Sequence, residues 1–380
     1  MYSLFGYGNM IADRHRMNAY VKALEGCIKP GSIVLDIGTG TGICAILACK
    51  LGAKQVYAIE SNSAIAVAKL AAQDNDCGDK IEFIQAMSVN VDLPEKVDVI
   101  VSDLRGILPF FQEHIPSIID ARSRFLQTGG TMIPLRDRLW GTLVHAPELY
   151  HSYSSLWQQD IPYNLNLESP RSFLFHAWKK CTISLEQCLT EPLLFAVLDY
   201  AQISTPNLQV KLEWRAEKAG LGHGICLWFD SLLTTGVEFS NAPGQPDLIY
   251  GKAFLPWLEP VAIASGDRII CDLKANLVGG QYIWQWNSKI ITGGKTRADF
   301  KQSTFNAKLI NREALERRSL DYIPQVNENG IITSFILSLM DKNNNLEAIA
   351  RECAALFPQR FPTWKNAVNQ VREVIDDYGQ

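Results

Sequence analysis

The sequence predicts a Rossmann-like α/β domain over residues 1–138, a domain of antiparallel strands over 139–308 and a helical C-terminal region over 309–380. Three observations support this division. A β-branched apolar run precedes a glycine-rich turn and an alanine-bearing apolar run, which is typical of a strand, loop and helix. From about Trp140 the pattern changes to short strands separated by turns. Near the C-terminus, apolar residues recur at helical spacing.

The composition is that of an ordinary globular protein. Hydrophobic residues make up 47% of the 380 residues, charged residues 20%, and the formal net charge is −4. These values predict neither a nucleic-acid nor a membrane partner. No apolar run approaches the roughly 20 residues that span a bilayer, and the N-terminus lacks a signal-peptide pattern. The nine cysteines form no Cys-x-x-Cys pair, so we expect no disulfide framework, no metal site and a cytosolic protein.

The glycine-rich turn connects a predicted strand, Ile33–Ile37, to an apolar helix that begins at Ile43. Glycine is needed where the backbone turns sharply and comes close to a ligand. A second predicted strand ends at Glu60, about 20 residues beyond the turn, where a carboxylate commonly accepts hydrogen bonds from ribose hydroxyls. The unit therefore predicts a nucleoside-binding βαβ crossover. An ordinary glycine turn or a dinucleotide site are the alternatives.

The turn has the spacing Gly-x-Gly-x-Gly, and Asp36 stands two residues before the first glycine. This pattern resembles the first motif of class I S-adenosylmethionine (SAM) methyltransferases. SAM carries no phosphate, so close backbone approach matters more than an anion cradle. The resemblance implies that SAM is the cofactor. The residues that it implies for cofactor binding here are Asp36, Gly38, Thr39, Gly40, Gly42, Glu60 and Ser61.

A second resemblance lies before this motif. The run Met10-Ile11-x-Asp13-x-x-Arg16-x-x-x-Tyr20 is similar to the pattern Met-Leu-x-Asp-x-x-Arg-x-x-x-Tyr of arginine methyltransferases. In that family the segment folds over SAM, and its arginine pairs with the SAM carboxylate. A guanidinium fork suits this role because it forms two parallel charge-assisted hydrogen bonds. We assign Arg16 to the cofactor carboxylate, with a solvated helix face as the alternative.

The resemblance continues after the next predicted strand, Ile81–Met87. In the family, the turn at this place holds adenine and contributes a glutamate. This chain has Val89 or Asn90 at that position. We therefore expect adenine to be contacted by Met87 and by the backbone of Ser88.

The substrate loop departs from the family pattern. Arginine methyltransferases have a glutamate here, followed by Trp-Met-Gly-Tyr and by a second glutamate about nine positions later, and this pair grips the guanidinium. This chain has Asp103 at the end of a predicted buried strand, and Gln112 with Glu113 at the second position. Parallel sheets place their chemistry at such strand ends. We expect Asp103 to orient the acceptor and to take up or balance its proton, Glu113 to assist, and Arg105 to favour an acceptor with some negative character nearby.

The resemblance implies that the domain of antiparallel strands is a β-barrel. An aromatic-rich segment at about 150–178 corresponds to the dimerisation arm of the family; the alternative is that its aromatics belong to the barrel core. The Thr-His-Trp loop of the family is replaced by Leu248-Ile249-Tyr250. A histidine that could relay a proton is therefore missing from this loop, and we expect Met10 and Tyr250 to wall the pocket.

The C-terminal region carries helix signals. Asn344 and Glu347 are predicted to form a capping box, Pro358 to end that helix, and Thr363 to cap another. The order of elements faintly resembles the small PqqD-type domains, which bind leader peptides of ribosomally made natural products. A helical cap on the barrel is the alternative.

Three functional hypotheses follow. The first is a SAM-dependent methyltransferase of the arginine-methyltransferase type, acting on a peptide or protein side chain or on a guanidino compound. The second is a methyltransferase on the same scaffold with another acceptor, such as a carboxylate, hydroxyl or amide of a peptide natural product or metabolite. The third is a non-catalytic SAM- or peptide-binding partner, against which the complete cofactor motif argues. We expect a homodimer with no nucleic-acid, membrane or metal partner.

Overall fold

The chain divides into two units, Met1–Lys308 and Leu309–Gln380. The computed structural model describes residues 3–155, 165–308, 313, 316–317, 319–340 and 342–379. The Rossmann-like α/β fold, the antiparallel sheets after it and the C-terminal helices are all confirmed.

Two helices precede the first sheet, α1 (Leu4–Ala12) and α2 (Arg14–Cys27). Asp13 separates them: its backbone N–H bonds Asn9 in α1, and its side chain accepts the backbone N–H of Arg16 in α2. A side-chain oxygen at this position satisfies a helix N–H that has no partner within the helix. The cap therefore fixes where α2 begins and the position of Arg16 in its first turn.

The first sheet is parallel and has five strands in the order β3-β2-β1-β4-β5. Its strands are β1 (Ile33–Ile37), β2 (Gln55–Ile59), β3 (Ile81–Ile84), β4 (Val97–Ser102) and β5 (Leu126–Ile133). Its helices are α3 (Ile43–Lys50), α4 (Ala64–Asp74) and α5 (His114–Arg124). Because β2, β1 and β4 are adjacent and parallel, their carboxyl ends share one edge of the sheet. Asp36, Glu60 and Asp103 lie at this edge.

Two antiparallel sheets follow. One has the order β7-β12-β10-β6-β8 with β11 paired to β10, and the other has the order β15-β14-β13-β9. The first contains β6 (Arg136–Val144), β7 (Lys179–Cys181), β8 (Leu193–Asp199), β10 (Gly220–Thr234), β11 (Val237–Ser240) and β12 (Lys252–Ile263). The second contains β9 (Leu208–Arg215), β13 (Arg268–Val278), β14 (Gln281–Thr292) and β15 (Lys295–Phe300). Tryptophans fill the core here: Trp214, Trp257, Trp284 and Trp286 are all buried.

The segment expected to be a dimerisation arm contains α6 (Pro147–Ser154) and α7 (Glu168–Leu174), and its residues 156–164 lie outside the described part of the chain. Three of its described aromatic rings, those of Tyr150, Tyr153 and Phe175, face inward. Tyr150 and Tyr153 are each 6% exposed and stack on Phe175 at 5.3 and 6.4 Å between ring centroids. They belong to a core cluster of the same chain. These rings therefore support the barrel-core interpretation, and they do not form an exposed patch.

The second unit contains α8 (Glu328–Met340), α9 (Leu346–Leu356) and α10 (Trp364–Tyr378) around an apolar core. The predicted Thr363 cap is confirmed. The predicted Asn344–Glu347 box is wrong by one residue: Asn345 caps α9 by accepting the backbone N–H of Ala348 at 2.9 Å. Within the described ranges, no helix combines the length and apolarity that crossing a bilayer requires.

Candidate active site

A cavity of about 710 Å³ opens at the carboxyl edge of the parallel sheet. It is also lined by α1 and α2 and, from the antiparallel sheets, by Trp178, Lys180 and the loop before β12. Nearly all of the site residues predicted from the sequence line this one cavity. They are Met10, Arg16, Asp36, Gly38, Thr39, Gly40, Glu60, Ser61, Met87, Ser88, Asp103, Glu113 and Tyr250.

The glycine loop approaches the cavity through left-handed backbone. Gly38 and Gly40 have φ of +71° and +57°, a region that L side chains rarely adopt. A Cβ on Gly40 would lie 2.7 Å from the ring of Tyr7, because α1 covers the loop. Gly42 does not line the cavity: a Cβ there would lie 2.9 Å from Ala68. Its role is thus the packing of α3 against α4.

Glu60 lies across the glycine loop. One carboxylate oxygen accepts the backbone N–H of Gly40 at 3.0 Å, and the other accepts the backbone and side-chain N–H groups of Asn62 at 3.1 and 2.6 Å. The side chain is buried at the cavity wall. These three bonds hold the carboxylate in place and leave about one lone-pair position, on Oε2, for a ligand.

Asp36 lies beneath the same loop. Its Oδ2 accepts the hydroxyl of Thr39 at 2.6 Å. Burial raises the pKa of Asp36 to about 7, against the opposing effect of this hydrogen bond. Asp36 and Thr39 therefore shape the loop from inside.

The expected adenine side of the cavity is formed by the short 3-10 turn Ser88–Asn90. Ser88 is buried, and its carbonyl accepts Arg124 Nη2 at 2.8 Å. Met87 is 42% exposed and lines the cavity, whereas Val89 is exposed and does not line it. Met87 and Ser88 are therefore the residues of this turn that a ligand can reach.

Asp103 is the centre of a hydrogen-bonded cluster. Its Oδ2 accepts Arg16 Nη2 at 2.5 Å, Arg16 Nε at 2.8 Å and the Tyr250 hydroxyl at 2.6 Å. Its Oδ1 accepts Arg105 Nε at 3.1 Å. Burial by itself would raise the pKa of Asp103, but the charges of Arg16 and Arg105 hold it at about 2. Asp103 is therefore ionised and strongly oriented, and the guanidinium of Arg16 is engaged with it.

The N-terminal segment and the barrel loop meet at this cluster. The carbonyl of Met10 accepts Arg16 Nη1 at 3.2 Å, and Asp13 accepts the backbone N–H of Ile249 at 2.7 Å. Tyr250 stacks on Phe239 at 5.8 Å between ring centroids. The loop that lacks the family's histidine thus brings the Tyr250 phenol to Asp103.

Arg105 does not present its charge to an acceptor, which corrects the expectation from the sequence. Its side chain is 0% exposed, and Nη1 bonds Asp137 Oδ1 at 2.8 Å and Ser231 Oγ at 2.5 Å. The guanidinium also lies 5.4 Å from the ring centroid of Phe229. Asp137 balances the charge, so Arg105 joins the substrate loop to the antiparallel sheet.

Gln112 and Glu113 both line the cavity. Gln112 has a φ of +42°, so the chain turns sharply just before α5 begins. A Cβ built on Gly280 would lie 3.3 Å from Glu113 Oε1. The Glu113 carboxylate therefore lies close to the β13–β14 turn.

His114 was not predicted from the sequence; it is 2% exposed and lines the cavity. Its Nε2 lies 3.1 Å from the hydroxyl of Tyr200, which donates to Asp137 at 2.6 Å. Burial lowers the pKa of His114 to about 3, and the charge of Arg105 acts in the same direction. The position of His114 directly after Glu113 was the one feature of the sequence that could have indicated a role in the site. Among the described residues, no group of three His, Cys, Asp or Glu side chains could hold a metal ion.

Several known proteins are similar to this chain in sequence. The family of ribosomal protein L11 methyltransferases (PrmA) matches residues 16–134. The protein arginine N-methyltransferase 6 of Xenopus tropicalis is 31% identical over 277 residues, which are 70% of this chain and 81% of that protein. The probable protein arginine N-methyltransferase 6 of Arabidopsis thaliana is 28% identical over 62% of this chain. The chain spans 55% of that plant relative and 62% of its counterpart from Oryza sativa subsp. indica.

Solved structures share the fold. The Trypanosoma brucei PRMT1 enzyme-prozyme heterotetrameric complex with AdoHcy has a TM-score of 0.71 at 20% identity, covering 78% of this chain and 96% of that one. Arabidopsis thaliana protein arginine methyltransferase 10 has a TM-score of 0.69 at 22% identity, covering 79% and 97%.

Proposed function

This chain belongs to the protein arginine methyltransferase family, and from that premise we propose that it is a SAM-dependent methyltransferase. The proposed acceptor is the guanidinium of an arginine side chain in a peptide or protein, or of a guanidino compound. One observation carries the proposal: the cofactor residues and Asp103 line a single cavity. A cofactor and an acceptor can meet there, away from bulk water.

The hydrogen-bond donors and acceptors on the cavity wall are of the kinds that SAM requires. Glu60 has a remaining lone pair on Oε2 for a ribose hydroxyl, and the left-handed glycines let the backbone come close. Arg16 has five N–H donors, and the bonds it makes to Asp103, Tyr250, Met10 and Met17 leave one N–H on Nη2. That N–H is the donor that we propose for the cofactor carboxylate. SAM, when bound, supplies an electrophilic methyl group.

The role of Asp103 is to hold the acceptor. Oδ2 already accepts three bonds, whereas Oδ1 accepts one, so Oδ1 has a lone pair for an acceptor N–H. A general base works best when its pKa lies near the operating pH. With a pKa of about 2, Asp103 orients the acceptor and balances its positive charge, and it is a weak base. Alignment of the acceptor lone pair with the methyl carbon is the main contribution of the chain.

A second acceptor class has specific support. Gln112 stands where the family has its second acid, and the charge of Asp103 is already balanced by Arg16. Glu113 is then the acid that remains to face a cation. This arrangement favours an acceptor of lower charge, such as a hydroxyl, amide or carboxylate of a peptide natural product or metabolite.

We also propose that domain boundaries lie near residues 138 and 308 and that the protein is cytosolic. We further propose that the chain forms a homodimer. Leu165 and Phe173 in the segment 165–178 are 53% and 43% exposed, which supports an interface of modest apolar area. All nine cysteines are free, as expected in a reducing compartment. Light scattering at micromolar concentration tests the dimer, and a monomeric mass would contradict it.

The function is tested by binding and turnover. Calorimetry with SAM measures the cofactor site directly. Incubation with SAM and matched arginine, lysine and serine peptides, read by mass spectrometry, identifies the acceptor. Transfer to arginine alone supports the first proposal, and transfer only to other side chains supports the second.

A further inference from the structure

Lys180 brings a positive charge to the wall of the cavity. It lies on β7, is exposed, and lines the cavity together with Trp178 and Ile249. Its Nζ donates a hydrogen bond to the carbonyl of Ile249. A Cβ built on Gly251 would lie 2.6 Å from Lys180 Cε, so the loop before β12 packs closely against this side chain. These contacts place the ammonium group at a loop that forms part of the cavity wall.

The ammonium group of Lys180 has no carboxylate partner among the described residues, whereas Arg16 is paired with Asp103. Partial burial lowers the pKa of Lys180, because an ammonium group that loses water without gaining an opposite charge is less stable in its charged form. An ammonium group has three N–H donors, and the bond to Ile249 uses one of them. Two donors therefore remain for a ligand.

The same loop connects this charge to the acid that is proposed to hold the acceptor. Tyr250, which follows Ile249, donates its hydroxyl to Asp103 Oδ2 at 2.6 Å. The side chain of Asp103 is only 13% exposed, whereas Lys180 is exposed. The acid is therefore the more deeply placed of the two charges. A long side chain whose guanidinium reaches Asp103 leaves its backbone on the more exposed side, toward Lys180.

We propose that Lys180 is a specificity-determining residue that binds a carboxylate of the methyl acceptor. This inference rests on the proposed function. The carboxylate belongs to an acidic residue beside the methylated side chain of a peptide, or it is the α-carboxylate of a free guanidino compound. Both sources present the same chemistry, an ion pair with charge-assisted hydrogen bonds. Lys180 can supply the preference for negative character that Arg105 cannot, since Asp137 balances the charge of Arg105.

The test measures methyl transfer by the full-length chain to matched acceptors. Glycine-rich peptides carry a single arginine, with Asp, Asn or Lys directly before or directly after it. N-acetylarginine is compared with N-acetylarginine amide, which lacks the α-carboxylate. We expect kcat/KM to be about fivefold higher for an Asp peptide than for its Asn counterpart, or for N-acetylarginine than for its amide, as a partly exposed ion pair would give.

Variants of one side chain assign the preference to Lys180. Lys180→Met removes the charge and should abolish the preference. Lys180→Glu should invert it in favour of the Lys peptides or of the amide, and Lys180→Arg should keep it. Lys179→Met is the matched control, because Lys179 is an exposed lysine on the same strand that does not line the cavity. This control should keep the full preference, and SAM affinity measured by calorimetry should be unchanged in all four variants.

Two results would overturn the proposal. In the first, the original protein prefers neither an Asp peptide nor N-acetylarginine over its uncharged counterpart. In the second, Lys180→Met keeps the preference of the original protein. A preference for an Asp peptide places the carboxylate on a neighbouring residue, and a preference for N-acetylarginine places it on the acceptor itself. If no methyl transfer is detected, the proposed function fails, and calorimetry of the same acceptors with S-adenosylhomocysteine applies the same two criteria to Lys180.

Discussion

Arg16 and Asp103 are joined by two hydrogen bonds, from Nη2 and Nε of the guanidinium to a single carboxylate oxygen, at 2.5 and 2.8 Å. The pair connects α2 to the end of β4, so it joins the helix that begins at the Asp13 cap to the substrate loop. Charge-assisted bonds of this kind are among the strongest in proteins. The position of the N-terminal segment and the orientation of the proposed catalytic acid are therefore linked.

Asp103→Asn should abolish turnover. The neutral amide keeps the shape but cannot balance a cationic acceptor, and we expect kcat to fall at least about 100-fold. SAM affinity should change little, which is the signature of a group needed mainly in the transition state. Steady-state kinetics and calorimetry measure the two effects. Asp79→Asn, on an exposed turn, is the control, and turnover that survives Asp103→Asn would move the acceptor away from this loop.

Glu60→Gln should weaken SAM binding. The change removes the charged acceptor for ribose hydroxyls, and each charge-assisted bond contributes about 1.5–3 kcal/mol. Because Gly40 and Asn62 also bond this carboxylate, thermal unfolding must accompany the calorimetry. Glu82→Gln, on an exposed position of β3, should leave affinity unchanged. Equal affinity for Glu60→Gln and Glu82→Gln would remove Glu60 from the cofactor site.

Arg105→Met should destabilise the protein. Asp137 would then be a buried carboxylate without its cation, and breaking a buried pair in this way costs about 3–5 kcal/mol. Glu238→Gln is the matched control, because its pair with Arg138 is 41% and 58% exposed and contributes less than about 1 kcal/mol. Chemical denaturation followed by tryptophan fluorescence measures both. Similar unfolding free energies for the two variants would show that the Arg105–Asp137 pair is not structural.

His114 should make stability depend on pH. Burial lowers its pKa from 6.5 to about 3, so the folded state keeps a neutral imidazole while the unfolded chain takes up a proton. Stability is therefore undiminished above about pH 6.5 and falls as the pH drops toward 3, by about 1.4 kcal/mol per pH unit.

Unfolding free energies at pH 7 and pH 5 check this dependence. His114→Gln should lose less stability on acidification than the original protein, since it has no imidazole to protonate at this position. The exposed His15 provides the control variant, His15→Gln. Parallel pH profiles for all three proteins would contradict a buried neutral His114.

The residues that the sequence could predict are those whose role depends on local backbone. The Gly-x-Gly-x-Gly turn and the strand ends at Asp36 and Glu60 follow from spacing along the chain. The partners of these residues could not be predicted in the same way. Arg105 pairs with Asp137, 32 residues away, and only the packing of the substrate loop against β6 brings them together.

The aromatic segment and His114 show the same limit. From the sequence, Tyr150 and Phe175 could belong to an exposed aromatic patch. In the fold their rings stack on each other and lie in a core cluster. His114 follows Glu113 in the sequence, but its importance depends on Tyr200, which is 86 residues away. Long-range pairing decides which polar residues remain available to a ligand.

The central claim is most directly tested by mass spectrometry of a glycine-rich arginine peptide incubated with the purified chain and isotopically labelled SAM. The account predicts labelled methyl groups on the arginine guanidinium, and none when the Asp103→Asn variant is used. Two results would contradict this prediction. In the first, the chain binds SAM but labels another side chain and leaves arginine unlabelled. In the second, the chain binds SAM and labels no acceptor at all.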